Sequence, residues 1–101
     1  MFGPHLAALE LLSEAIGKRV CIEAVYNGGR ATLAPDSLAE RHGELYLKAV
    51  TVSFDGRRPR HPKLGTFKLS GLTEMRITSV ECLPQAFLAQ ANQEPAQAAR
   101  G

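Results

Sequence analysis

Two runs of alternating residues constrain this chain most. In Val20-Cys21-Ile22-Glu23-Ala24-Val25-Tyr26, positions 20, 22, 24 and 26 share one side and Cys21, Glu23 and Val25 the other. In Glu44–Ser53, Leu45, Leu47 and Ala49 share one face, and Tyr46, Lys48, Val50 and Val52 the other. A period of two belongs to a β-strand, because successive side chains leave a pleated backbone on opposite sides. Asn27-Gly28-Gly29 and His42-Gly43 supply residues that tolerate the positive φ angles of tight hairpins. Between those turns, Arg30–Leu33 reads as a returning strand. Pro35 has no N–H for a ladder and should interrupt the pairing, and Asp36–Arg41 resumes it with Leu38 inward.

The flanking segments complete the outline. Leu6, Leu9, Leu12 and Ile16 recur at three- and four-residue spacing, with Leu11 and Ala15 widening the apolar stripe, so residues 4–17 are expected to form a helix. Pro4 suits its first turn, and Gly17 the left-handed position just past its end. Residues 55–65 hold two prolines and two glycines and read as a loop. A short strand follows over 66–69, then a turn at Ser70-Gly71-Leu72 and a last strand around Met75 and Ile77. Residues 85–92 are expected to form a helix that docks Phe87 and Leu88 on the sheet, and 95–101 a tail without order. The expected organisation is one domain over 1–84 and an Ala/Gln-rich tail over 85–101.

A chain of 101 residues has room for one modest core. Four or five short strands behind one amino-terminal helix predict a mostly β protein, a small SH3- or Sm-like barrel whose open end the helix closes. There is no apolar run long enough to span a membrane, and the first residues lack the basic-then-apolar pattern of a secretory leader. Cys21 and Cys82 lie far apart in apolar surroundings. They are expected to be buried free thiols in a reducing cytoplasm.

Charge is distributed unevenly. The chain carries a formal +2, yet residues 41–68 hold seven basic residues against two acidic, and the remainder five against eight. One part of the molecule should therefore attract anions. Arg57, Arg58, Arg60 and Lys63 concentrate in the loop, where arginines offer bidentate contacts to phosphate and two prolines limit the entropy lost on binding. The plainer reading is a solvated hairpin tip. Tyr46 either stacks on a base, with Lys48 beside it, or packs under the loop or in a subunit interface. Arg30 either reaches a ligand phosphate or pairs with Asp36 or Glu23, and Lys68 adds a further cation. His5, His42 and His61 show no metal-ligand spacing, and Asp36-Ser37 with His42 lacks a nucleophile elbow. The reading is a non-enzymatic protein without a cofactor.

The order of features resembles the WYL domain of bacterial regulatory proteins: Ala15-x-x-x-Arg19 at a helix end, Val20-x-Ile22, Tyr26, Arg30, Pro35, Leu38, Gly43, Tyr46-Leu47 and Phe67-x-Leu69. The triplet that names the family stands here as Leu45-Tyr46-Leu47, and Gly71-Leu72 stands where the family continues with Arg-Ile. The resemblance implies an SH3- or Sm-like barrel and a role in transcriptional regulation or defence. It also implies a ligand surface for nucleic acid or a nucleotide-like anion, for which the residues of this chain offer Arg30, Tyr46, Lys48, Arg57, Arg58, Arg60, Lys63 and Lys68. Partners would be that ligand and a second copy or a larger regulatory protein, with no membrane. The alternative is a dimerisation or interaction module with no ligand of its own.

Overall fold

Three two-residue turns organise the sheet. Asn27 and Gly28 have φ of +51° and +77°, His42 and Gly43 +54° and +78°, and Asp55 and Gly56 +50° and +80°. Two consecutive positive φ angles define the type I′ turn, whose twist matches that of the strands it joins. The structure, a computed structural model, describes residues 5–88. Its elements are α1 (His5–Lys18), β1 (Val20–Tyr26), β2 (Gly29–Arg41), β3 (Glu44–Phe54), β4 (Leu64–Lys68), a 3-10 turn (Leu69–Gly71) and β5 (Thr73–Glu81). Residues 84–88 add a short helical turn. Pro4, residues 89–92 of the expected carboxy-terminal helix and the tail over 95–101 lie outside the described residues.

All strands pair antiparallel in one sheet of order β4-β3-β2-β1-β5. The protein is mostly β with one amino-terminal helix, as the alternation predicted. The barrel is not closed: among the described residues no ladder joins β4 to β5, which remain the two edges of an open sheet. The 3-10 turn between them packs against β3 and α1 instead. Pro35 lies inside β2 at a register shift between Pro35 and Ser37, so the ladder bends there rather than ending.

The inner face carries the main core: Leu12 and Ala15 from α1, Ile22 and Ala24 from β1, Ala31 and Leu33 from β2, Leu47 and Ala49 from β3, with Leu69 and Leu72. Leu9 and Phe67 are half-buried at its border. Phe67 meets the Tyr26 ring edge-on, with centroids 5.2 Å apart. The helix runs one residue past Gly17, and Arg19 rather than the glycine takes the left-handed conformation, at φ +59°. The physical reason is the short link: β1 begins at Val20, so the only residue left to reverse the chain is Arg19.

A second cluster sits on the outer face, where the alternation alone gave no sign of it. Cys21, Ala34, Val50 and Cys82 are buried there, with Val52, Phe87 and Leu88 packed against them. Phe87 and Leu88 dock as expected. The expectation of free thiols is overturned, because Cys21 and Cys82 are joined in a disulfide with Cα atoms 5.2 Å apart. Sequence distance hid their proximity: β5 is the last of the described strands but pairs with β1, which brings residue 82 beside residue 21.

Candidate functional site

The registers of β3 with its two neighbours decide which candidate residues meet. Tyr46 pairs with Lys68, Lys48 with Thr66 and Val50 with Leu64, while Leu47 pairs with Phe67 on the inner face. Since paired residues share a face, Tyr46, Lys68, Lys48 and Thr66 all lie on the outer one. On the β2 side Ala39 stands opposite Tyr46, and Arg41 opposite Glu44. Tyr46, Lys48, Thr66, Ala39, Glu40 and Arg41 line one shallow groove of about 320 Å³. Tyr46 is half-buried and forms one wall, while Lys48 and Arg41 are exposed. Lys68 lies 3.8 Å from the Glu44 carboxylate, with both side chains about half exposed. That pair contributes little to stability and leaves the ammonium free to exchange partners.

Arg41 and Thr66 were absent from the sequence-derived site. The signal for Arg41 was its position beside the His42-Gly43 turn, two strand positions from Ala39. No such signal marks Thr66, which enters only through the β3–β4 register.

The basic loop is smaller than the sequence suggested. Asp55-Gly56 is a turn that extends the β3–β4 hairpin, and Phe54 and Arg57 exchange both backbone hydrogen bonds, at 2.8 and 3.0 Å. Residues 58–63 then bulge out of the hairpin before β4 begins. Arg57, Arg58, Arg60 and Lys63 are all exposed, and no acidic group among the described residues pairs with any of them. Lys63 adjoins Leu64, two register pairs from Lys48. At about 3.4 Å per residue this puts the near end of the bulge roughly 10 Å from the groove along the sheet. The cations Lys68, Lys48 and Lys63 thus mark out a strip along the β3–β4 pair.

Arg30 does not belong to that strip. Nine residues of β2 separate it from Ala39, on the order of 30 Å along the strand. It lies in a separate recess with Glu23, Glu74, Met75 and Arg76. Its guanidinium is 3.8 Å from Glu74, not beside Asp36 as one reading of the sequence had it. Glu23 accepts a 2.6 Å hydrogen bond from Arg76. That hydrogen bond holds the Glu23 carboxyl below the usual carboxylate range; desolvation opposes the shift, and the charges of Arg76 and Arg30 add to it. The same bond raises the Arg76 guanidinium. Asp55 accepts the Arg30 backbone N–H at 2.9 Å, so this corner serves to fasten the first and third turns together.

Ser37 donates its hydroxyl to Asp36 at 3.0 Å, and no described hydrogen bond joins either to His42. No described helix is long and apolar enough to cross a membrane. No family model matches the chain, and no curated protein matches it.

Proposed function

We propose that this chain is a non-enzymatic binding module of WYL type that holds a single-stranded nucleic acid or a nucleotide-like anion on the outer face of β3 and β4. The observation that carries the reading is the groove: an aromatic wall, Tyr46, stands with the cations Lys48 and Arg41 and the Thr66 hydroxyl, and Lys68 lies beside it as the cross-strand partner of Tyr46. A base stacks on Tyr46, and the backbone runs past Lys48 toward Lys63 and the arginines of the bulge. This combination, a π-face for any base and point charges for phosphate, favours sequence-tolerant binding. The resemblance to the WYL domain supports the same assignment, with its cytoplasmic setting and its role in bacterial transcriptional regulation or defence. Arg30 is left out of the site, since its recess carries as many carboxylates as guanidiniums.

Anisotropy of a labelled oligonucleotide, titrated with the protein across salt concentrations, tests this. Tyr46→Ala should weaken binding by about 1–3 kcal/mol with the salt slope unchanged. Replacing Lys48 and Lys68 with alanine should flatten the slope by about 0.7 for each phosphate no longer neutralised. Absence of binding to any oligonucleotide at low salt rejects the reading.

One observation favours the second reading, a dimerisation or docking module. The sheet is open, and both β4 and β5 present an unpaired backbone edge among the described residues. Val50 shares a face with Tyr46 but offers no apolar surface for this, because it is fully buried in the cluster against which Phe87 and Leu88 pack. Sedimentation or light scattering at high protein concentration, in high salt, separates the two: an edge-paired dimer persists where phosphate binding is lost.

A further inference from the structure

We propose that the Cys21–Cys82 bond is a redox-operated clasp. It holds residues 82–88 over the outer apolar face of the sheet, and its reduction by a dithiol uncovers that face.

The argument begins at an irregularity in β5. Ile22 pairs with Ile77 and Glu23 with Arg76, but Val20 pairs with Glu81, so the register slips by two residues between them. A bulge of this kind leaves backbone groups without ladder partners. The Thr78 hydroxyl fills one gap, donating to the Cys21 carbonyl at 2.8 Å while accepting from the Val80 N–H at 3.2 Å. Past the bulge, little among the described residues fastens the chain. There are the Val20–Glu81 pair, one hydrogen bond from the Cys82 N–H to the Arg19 carbonyl at 2.9 Å, and the disulfide. Ser79, Val80 and Glu81 are exposed, Val80 by 61%.

What this weakly fastened end covers is apolar. Ala34 and Val50 have no exposure, and Val52 is half-buried beside them under Phe87 and Leu88. Phe87 and Leu88 are themselves only half-buried, so they add modestly to the hold. The clasp and the covered face are one cluster, since Cys21 and Cys82 pack with Ala34 and Val50. Segments with few buried contacts and exposed hydrogen bonds open locally before the fold does. The disulfide is what opposes that opening here, with the bulge at 78–80 as the hinge.

The chemistry is thiol–disulfide exchange. One thiolate of a dithiol attacks the Cys82 sulfur, the S–S bond breaks, and Cys21 leaves as a thiolate that takes up a proton. The second thiol of the reductant then closes its own disulfide and releases Cys82 as a thiol. Two electrons and two protons pass to the protein, and the reductant is oxidised. The two cysteines are 1% and 3% exposed, so attack waits on brief fraying of residues 83–88, which the tether at Cys82 limits but does not prevent. In a reducing compartment disulfides are transient and regulatory rather than permanent, which suits a clasp of this kind.

The chain has no tryptophan, so F87W places a single indole in the cover. The full chain is oxidised with glutathione disulfide, then reduced with dithiothreitol without denaturant. Emission, acrylamide quenching and far-ultraviolet circular dichroism are read in both states. On reduction the indole emission should shift to the red and quenching should rise severalfold, while the β-sheet signal persists. Cys82→Ser combined with F87W should show the reduced behaviour in either state. In parallel, the natural sequence should bind an apolar-surface dye only when reduced. Three results overturn the proposal: an indole that stays shielded after reduction, loss of the sheet signal together with the cover, or two alkylatable thiols after oxidation.

Discussion

Leu47 and Phe67 face each other across the β3–β4 ladder, yet they are not equivalent. Leu47 is wholly buried in the main core, and Leu47→Ala should cost about 2–5 kcal/mol, read from urea denaturation. Phe67 borders the same core, half-buried and edge-on to Tyr26, so Phe67→Ala should cost less than the roughly 3–5 kcal/mol of a fully buried phenylalanine. Glu23 offers a test by pH. Its carboxyl is held below the ordinary value of 4.5 by Arg76, so its contribution is fully present above that pH and fades as pH falls through the lower folded value. Glu23→Gln should therefore lower the urea midpoint at pH 7, and the gap to the parent should close in stronger acid. The partner of Glu23 could not be read from the sequence, since Arg76 lies 53 residues away and only the β1–β5 register joins them.

At the scale of elements, two glycines make opposite predictions. Gly43 has φ +78° with open space where a side chain would begin, so Gly43→Ala should destabilise by about 1–2 kcal/mol from backbone strain alone. Gly17 sits within α1 at ordinary helical φ, also with open space, so Gly17→Ala should stabilise by about 0.5–1 kcal/mol. Thermal melts of the two variants should move in opposite directions. The strands and the first two turns were legible because alternation and Asn-Gly or His-Gly pairs are local signals. The end of α1 was misjudged because a glycine near a helix end looks like a cap, while the length of the link to β1 shows only in three dimensions. The Asp55-Gly56 turn was hidden by the arginines that follow it, which made a hairpin tip look like part of a longer loop.

At the scale of the molecule, the covalent link between residues 21 and 82 adds to the stability of the whole fold. Closing a loop with a sequence separation of 61 should contribute about 2–4 kcal/mol, so the reduced chain should melt lower yet remain folded. Calorimetry with and without dithiothreitol reads this directly. The candidate site was only partly legible at this scale. Tyr46 and Lys48 could be set on one face because strand alternation fixes which side each occupies, and the β3–β4 register adds Lys68 beside them. Arg30 was misplaced with them because a linear sequence does not show that nine residues of β2 carry it to another corner. The disulfide and the cover over Val50 depend on β5 returning to β1, a pairing that no short-range pattern encodes.

The strand order has a consequence for biosynthesis. β1 to β4 form a meander in which each strand pairs with the one just made, so these hairpins can close as the chain leaves the ribosome, amino-terminal end first. β5 alone pairs with a strand made long before it: Thr73 meets Val25 across 48 residues, and Cys82 meets Cys21 across 61. Until β5 emerges, the flank of β1 that carries Cys21 is an unpaired edge, and the Cys21 thiol has no partner there. The nascent protein therefore passes through a stage, after four strands and before the fifth, when it is open both to mispairing with a neighbouring chain and to oxidation by the wrong partner.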